Sequence, residues 1–199
     1  MAEPDNSFAL ENEIHEHILS KGGRAFVEES DKTLFELNAI LKIITSAGGI
    51  PCYPVLLDDQ AGNLTEFEAS PDKLHQSLLS LGIGCIEFFP RNNDIKILTD
   101  YVRYFDEKDY IITFGTGHNA PDMLPLTVTS KGSEPLDEYL KEVAWEGACV
   151  IAAHQYLRAD GRQGYVLPDG KHSSEQKAEL AGLGRLIIEY YLNKSEFHS

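Results

Sequence analysis

One histidine stands out among the residues that could do chemistry, because it follows an apolar run that reads as a strand. The run is Tyr110–Phe114, and the segment Gly115–Pro121 after it carries His118 and Asn119. Loops at the carboxyl ends of strands are where α/β proteins place their ligands. An imidazole there could bind a metal, act as a general base or hold a substrate. The alternative is a tight turn in which His118 only satisfies backbone groups.

Polar side chains also follow two earlier apolar runs. Asp58 comes directly after Ile50–Leu57, while Arg91 and Asn92 come after Cys85–Phe89. A carboxylate at such a position could ligate a metal, and an arginine could bind a phosphate or carboxylate through two parallel hydrogen bonds. Ordinary turn composition is the alternative explanation for both segments.

An acidic residue lies inside the second apolar run. A buried carboxylate is costly unless it is paired, so Glu87 should either have a partner such as Arg91 or face a polar pocket. In a pocket it could serve with His118 as a catalytic acid or base. We count four side chains as candidate substrate contacts: Tyr53, Arg91, Asn92 and Asn119.

The charge balance excludes two classes of partner. The chain has 199 residues, with 32 acidic against 17 basic and a net charge of −15. Nucleic acids and anionic membrane surfaces both call for a basic face, so neither is an expected partner. No apolar stretch approaches the roughly 20 residues that span a bilayer. A small-molecule substrate is therefore the expected partner.

The three cysteines are far apart in the sequence and lie in apolar surroundings. Cys52, Cys85 and Cys149 form no CxxC pattern. We interpret them as reduced core thiols of a cytoplasmic protein, with a zinc site only as the lesser alternative. The acidic N-terminus shows no signal-peptide core.

The elements that position these residues alternate between helices and strands along the chain. Ser70-Pro71 predicts a helix start and Asp94 a helix cap, and apolar residues recur at three- and four-residue intervals in between. A similar stripe, which we assign to the core, comprises Leu34, Leu37, Ile40, Leu41 and Ile44. A long periodic segment runs from Pro135 to about Leu157, in which His154 is expected to be a satisfied core histidine.

This alternation predicts a short parallel sheet with flanking helices. Three strands are few for 199 residues. The sheet or barrel is therefore expected to be incomplete, and the chain could self-associate or associate with a missing N-terminal segment.

Three segments, taken in order, resemble the second half of PHP-domain proteins, which are polymerase-and-histidinol-phosphatase-type metal-dependent hydrolases. They are Ser46–Pro51 (SAGGIP), Leu81–Glu87 (LGIGCIE) and Ile112–His118 (ITFGTGH). The resemblance covers roughly residues 30–125. It implies that residues 1–199 form one α/β domain, the C-terminal part of a partial or distorted βα barrel.

The resemblance also implies a chemistry. Phosphate esters would be hydrolysed with the help of divalent Zn, Mn or Fe, with His118, which matches the last histidine of the final family motif, as a metal ligand. Asp58 is added as a candidate ligand from its strand-end position, and Glu87 is added as a candidate catalytic residue beside His118. This sequence departs from the family pattern at three places: Thr116 stands where the last motif has an aspartate, Ile50–Leu57 contains no histidine, and the strand-borne H-x-H of the first half is absent. A lineage that has lost the metal therefore stays open. The alternative function is a non-catalytic α/β domain that binds a small polar ligand or a partner chain.

Overall fold

The structure is a computed structural model, and it describes residues 6–28, 34–58, 63–116, 125–167 and 176–196. Its described elements are six α-helices and five short strands. In chain order they are α1 (Ser7–Ile14), α2 (Leu37–Ser46), β1 (Cys52–Val55), α3 (Pro71–Leu81), β2 (Cys85–Phe88), α4 (Ile95–Asp106), β3 (Ile111–Phe114), β4 (Thr129–Ser130), β5 (Glu134–Pro135), α5 (Glu138–Ala159) and α6 (Lys177–Glu196).

The centre of the fold is a parallel sheet in the order β1-β2-β3. Cys52 pairs with Cys85, and Cys85 in turn with Ile111, so the three strands begin level with one another. The edge strand β1 contains Pro54, which fits because proline has no N–H to donate and an edge strand is paired on one side only. The prediction of a mixed α/β fold with a short parallel sheet and flanking helices is confirmed. Closure into a barrel stays a prediction.

Each face of the sheet packs against a different layer. Ile86 and Phe88 point toward α3 and α4, where they join a core that includes Leu78, Val102 and Phe105. Cys85 and Ile111 point the other way, toward α5 and α6, and join a second cluster that contains Val150, Ala153, Leu157, Tyr165 and Leu180. The alternation of side chains along each strand therefore divides the sheet's residues between two cores.

Helices α3 and α4 begin where local chemistry places them. The Ser70 side chain accepts a hydrogen bond from the Lys73 N–H at 3.3 Å, with Pro71 in the first turn. The Asp94 carboxylate accepts from the N–H groups of Lys96 and Ile97. Gly82 ends α3 with φ 69°, a left-handed conformation that favours glycine.

The prediction that the apolar stripe of α2 lies in the core is wrong for most of its residues. The helix begins at Leu37, and its N-cap Glu36 makes no side-chain capping bond. The stripe assigned to the core is largely solvent-exposed, since no residue of α2 is buried and Leu34 and Leu37 are 61% and 49% exposed. Leu41 is the residue of this stripe that packs against the described core. The amphipathic period alone could not show how much of that face would be covered.

Helix α5 is continuous from Glu138 to Ala159 and runs through Gly147 without a break. Its approach to β3 is close enough that a Cβ on Gly147 would overlap the Ile112 carbonyl. In the same way, a Cβ on Gly184 of α6 would overlap the carbonyl of Cys149 in α5. In the described part of the chain, no helix is long and apolar enough to cross a membrane.

Candidate functional site

The carboxyl ends of β1 and β2 open into a cleft of about 820 Å³, which we call the strand-end cleft. Asp58, Arg91 and Asn92, three of the predicted site residues, line it together. They meet because parallel strands in register release their chains at the same edge of the sheet. The remaining described polar lining residues are Asn63, Thr65 and Lys131.

Asp58 is held against the turn that follows β2. Its carboxylate is 3% exposed and accepts from the Asn93 Nδ2 and from the Asp94 N–H, with N···O distances of 3.3 Å. These contacts orient the carboxylate toward the helix cap rather than leaving it free in solvent. Asp58 therefore joins the end of β1 to the start of α4.

Asn93 connects three segments that form the walls of the strand-end cleft. Its buried side-chain amide donates to the Leu56 carbonyl at 2.8 Å and to the Asp58 carboxylate. Its backbone carbonyl accepts from the Lys131 N–H at 3.1 Å. Both side-chain partners are acceptors, which fixes the orientation of the amide. Sequence analysis missed Asn93, although the Asn-Asn-Asp run before a helix was a usable signal.

Lys131 was also missed as a site residue, because only tertiary structure brings it to the cleft. It follows β4, and the Ser130–Glu134 turn folds back against the Pro90–Asn92 turn. Arg91 additionally lines a smaller recess of about 200 Å³, which contains Gly115 and Thr116 at the end of β3. Arg91 thus lies between the ends of all three parallel strands.

A buried carboxylate supports the loop after β1. Glu68 is 1% exposed and accepts from the N–H groups of Leu56 and Leu57 at 3.0 and 3.1 Å, and from the Thr65 hydroxyl at 3.2 Å. Leu57 has φ 55°, an uncommon left-handed conformation for leucine. The Thr65-Glu66-Phe67-Glu68 pattern, a T-x-x-E signature, could have identified this brace.

Tyr53 lies away from the strand-end cleft. Its hydroxyl faces Glu68 Oε1 at 3.5 Å, and its ring packs against Phe67. Burial, followed by the charge and hydrogen bond of Glu68, raises the pKa of Tyr53 to about 12. The described geometry therefore gives Tyr53 a structural contact rather than a place in the cleft.

Glu87 lines a different cavity, on the α5 side of the sheet. This cavity of about 840 Å³, which we call the thiol cavity, also contains Cys52, Cys85, Thr113, His154 and Arg158. Glu87 forms no hydrogen bond or ion pair in the described part of the chain, which agrees with the pocket alternative rather than with pairing to Arg91. Its carboxylate lies beside Gly115, where a Cβ would meet Oε1 at 2.9 Å.

His154 is buried and fully bonded, as expected for a core histidine. Its Nδ1 accepts from the Tyr165 N–H at 3.0 Å, so its Nε2 carries the proton and donates to the Gly48 carbonyl at 2.8 Å. The bond holds the Gly48 turn, with φ 80°, against α5. His15 and His17 are exposed and lie in a helical segment that follows α1.

The described residues do not form a metal site by themselves. They contain no group of three histidine, cysteine, aspartate or glutamate side chains placed to hold an ion. Asp58 is the described candidate ligand, and its carboxylate already accepts N–H groups. His118 and Asn119 lie outside the described residues, so their predicted roles stay predictions.

Comparison of the chain with protein-family models, curated proteins and solved structures finds no match.

Proposed function

We propose that the protein binds a phosphorylated small molecule in the strand-end cleft. The observation that carries this proposal is that Arg91 and Lys131, from separate segments, line one cleft beside the buried carboxylate of Asp58. Two cationic side chains in one cleft are notable in a chain with a net charge of −15. A concave site of this size with a few convergent polar groups suits a small ligand.

The polar groups have distinct expected roles. The planar guanidinium of Arg91 can donate two parallel hydrogen bonds to phosphate oxygens, whereas the Lys131 ammonium acts as a point charge. The Asn92 amide can donate to a phosphate or accept from a ligand hydroxyl. Asp58 and Asn93 position these groups by joining the segments that carry them.

The reaction we propose is hydrolysis of the phosphate ester, as the PHP resemblance implies. That resemblance also implies a distorted βα barrel, of which the three parallel strands would form part. A divalent metal, if bound, would polarise the phosphoryl oxygens and activate water. The described donor set does not fit a metal, and Glu87 lines the thiol cavity instead of the strand-end cleft.

A second candidate is ligand binding without catalysis. It is favoured by the same Asp58 geometry, in which the carboxylate already accepts from the Asn93 side chain and the Asp94 N–H, and in which the described residues contain no group of three potential metal ligands. In this case the strand-end cleft would recognise the anion, and the molecule would leave unchanged.

Calorimetric titration with inorganic phosphate and with p-nitrophenyl phosphate tests the site. We expect R91A and K131A each to weaken binding about tenfold, the size expected for one charge-assisted hydrogen bond. The matched control is K96A, because Lys96 is an exposed cation on α4 outside the cleft. Equal affinity of R91A and wild-type protein would refute the proposed site.

Metal content and turnover separate the two candidates. Stoichiometric Zn, Mn or Fe that is lost in H118A, together with release of p-nitrophenol, supports the hydrolase. Phosphate binding that persists in metal-free protein, with no turnover after addition of these metals, supports ligand binding alone.

A further inference from the structure

Two cysteines that are 33 positions apart in the sequence meet in the sheet. Cys52 and Cys85 are the first residues of β1 and β2 and are direct partners in the register. Their Sγ atoms are 3.2 Å apart, with Cys85 donating to Cys52. Cys149 is buried in α5. The prediction of core thiols holds for Cys85 and Cys149 and is wrong for Cys52, which is exposed.

The two thiols differ in accessibility. Cys52 is exposed at the edge strand, whereas Cys85 is 1% exposed. Pairs that react with disulfides commonly combine an accessible thiol, which attacks first, with a less accessible thiol, which resolves the intermediate. The asymmetry here has that form.

Both thiols face the thiol cavity, which also presents opposite charges. Glu87 follows Cys85 by two positions on the same face of β2, about 7 Å along the strand, and Thr113 is its partner in β3. Arg158 of α5 lies against the Gly48 turn, which precedes β1. Neither Glu87 nor Arg158 forms an ion pair in the described part of the chain.

We propose that the Cys52–Cys85 pair is a dithiol site that exchanges with a low-molecular-weight disulfide bearing carboxylate and ammonium groups. Arg158 would bind a carboxylate of that molecule, and Glu87 would bind its ammonium group. The disulfide bond of the ligand would then lie over Cys52. This site is separate from the strand-end cleft and does not depend on the function proposed for it.

The exchange is balanced without any further reagent. The Cys52 thiolate attacks one sulfur of the ligand disulfide, which forms a mixed disulfide and releases one thiol of the ligand. Cys85 then attacks Cys52 Sγ, which forms the Cys52–Cys85 disulfide and releases the second thiol. The protein dithiol loses two electrons and two protons, and the ligand disulfide gains them.

The Cys85 thiol is expected to stay protonated until Cys52 has reacted, which suits its role in the second step. The hydrogen bond to Cys52, then burial, and then the negative charges of Cys52 and Glu87 raise the pKa of the Cys85 thiol. A mixed disulfide on Cys52 removes both the hydrogen bond and the charge of that thiolate. Cys85 therefore becomes easier to ionise only after the first step has occurred.

The backbone spacing suits a disulfide between these two positions. Neighbouring strands lie about 4.8 Å apart, within the roughly 4.4–6.8 Å range of Cα···Cα distances that disulfides span. The cross-link can therefore form while β1 and β2 stay paired.

Oxidised glutathione is the probe for the test, with intact-mass and peptide mass spectrometry as the readout. The wild-type protein should form a Cys52–Cys85 cross-link within one chain and keep Cys149 free. C85S and C85A should instead accumulate one glutathione on Cys52, and C52S should accumulate none. C149S is the matched control and should form the cross-link as wild type does.

The charged groups are tested by comparing two disulfides. R158Q should slow the reaction with oxidised glutathione about tenfold, the effect of one charge-assisted contact, and leave the reaction with neutral bis(2-hydroxyethyl) disulfide unchanged. Mapping of the wild-type cross-link needs no variant, so misfolding of C85S cannot hide the result. The proposal would be overturned if the wild-type protein kept three free thiols. It would also be overturned if R158Q changed the rate with oxidised glutathione and the rate with the neutral disulfide by the same factor.

Discussion

At the scale of single residues, the strand-end cleft depends on side chains that sequence reasoning found only in part. Asp58, Arg91 and Asn92 were predicted, because polar residues directly after strands converge in a parallel sheet. Lys131 was not, since its position depends on a return of the chain that no local pattern encodes. Glu87 lies on the α5 side of the sheet, because side chains alternate along a strand and its neighbour Phe88 takes the other face.

Glu68 provides the residue-scale prediction. E68A removes the acceptor for the Leu56 and Leu57 N–H groups, and Leu57 is 1% exposed, so its N–H would be left without a partner. We expect the free energy of unfolding to fall by about 3 kcal/mol, measured by urea denaturation. The control is E66A, an exposed neighbour in the same loop, whose stability should change by less than about 0.5 kcal/mol. Similar stabilities for E68A and E66A would contradict the role assigned to Glu68.

At the scale of elements, the sequence predicted helices and strands where caps and turn residues mark them. Ser70 and Asp94 cap the starts of α3 and α4 as expected, and Gly82 ends α3. The degree of burial was less predictable, as α2 demonstrates. An amphipathic stripe shows which side of a helix is apolar, but it does not show whether another element packs against that side. The close approach of α5 to α6 was likewise invisible, although Gly184 marks the contact.

Two glycines of α6 give a matched pair for the element-scale prediction. In G184A the new Cβ overlaps the Cys149 carbonyl, and because the obstacle is backbone, the two helices must separate. We expect a loss of about 2 kcal/mol or more in the free energy of unfolding. In G182A nothing lies within 4 Å, so the better helix propensity of alanine should stabilise the protein by about 0.5–1 kcal/mol. Thermal unfolding of both variants checks this, and equal effects would show that α5 and α6 do not pack as described.

At the scale of the whole molecule, tyrosines are distributed through the structure in settings that disfavour their ionisation. Burial raises the pKa of Tyr110 to about 12, and burial with the hydrogen bond to Asp106 does the same for Tyr139. For Tyr104 the hydrogen bond to Asp72 is the main cause of a pKa of about 12. The effect thus extends over both sides of α4.

These shifts predict the alkaline behaviour of the protein. Above pH 10 the unfolded chain loses tyrosine protons that the folded chain retains, so the stability present below pH 10 is lost as the pH rises toward 12. Urea midpoints measured across this range should fall steadily. Ultraviolet titration should show tyrosines that ionise near 12 in folded protein and near 10 in denaturant. If all tyrosines of the folded protein titrate together near 10, the described burial is incorrect.

The connections made by Asn93 have a consequence for any molecule that enters the strand-end cleft. Asn93 joins the end of β1 and the start of α4 through its side chain, and the segment that carries Lys131 through its backbone carbonyl, so the described walls are already ordered before a ligand arrives. The conformational entropy lost in ordering those walls is part of the free energy of folding, so it does not reduce the free energy of ligand binding. Recognition there would follow a lock-and-key course, with the described walls keeping one shape before and after binding.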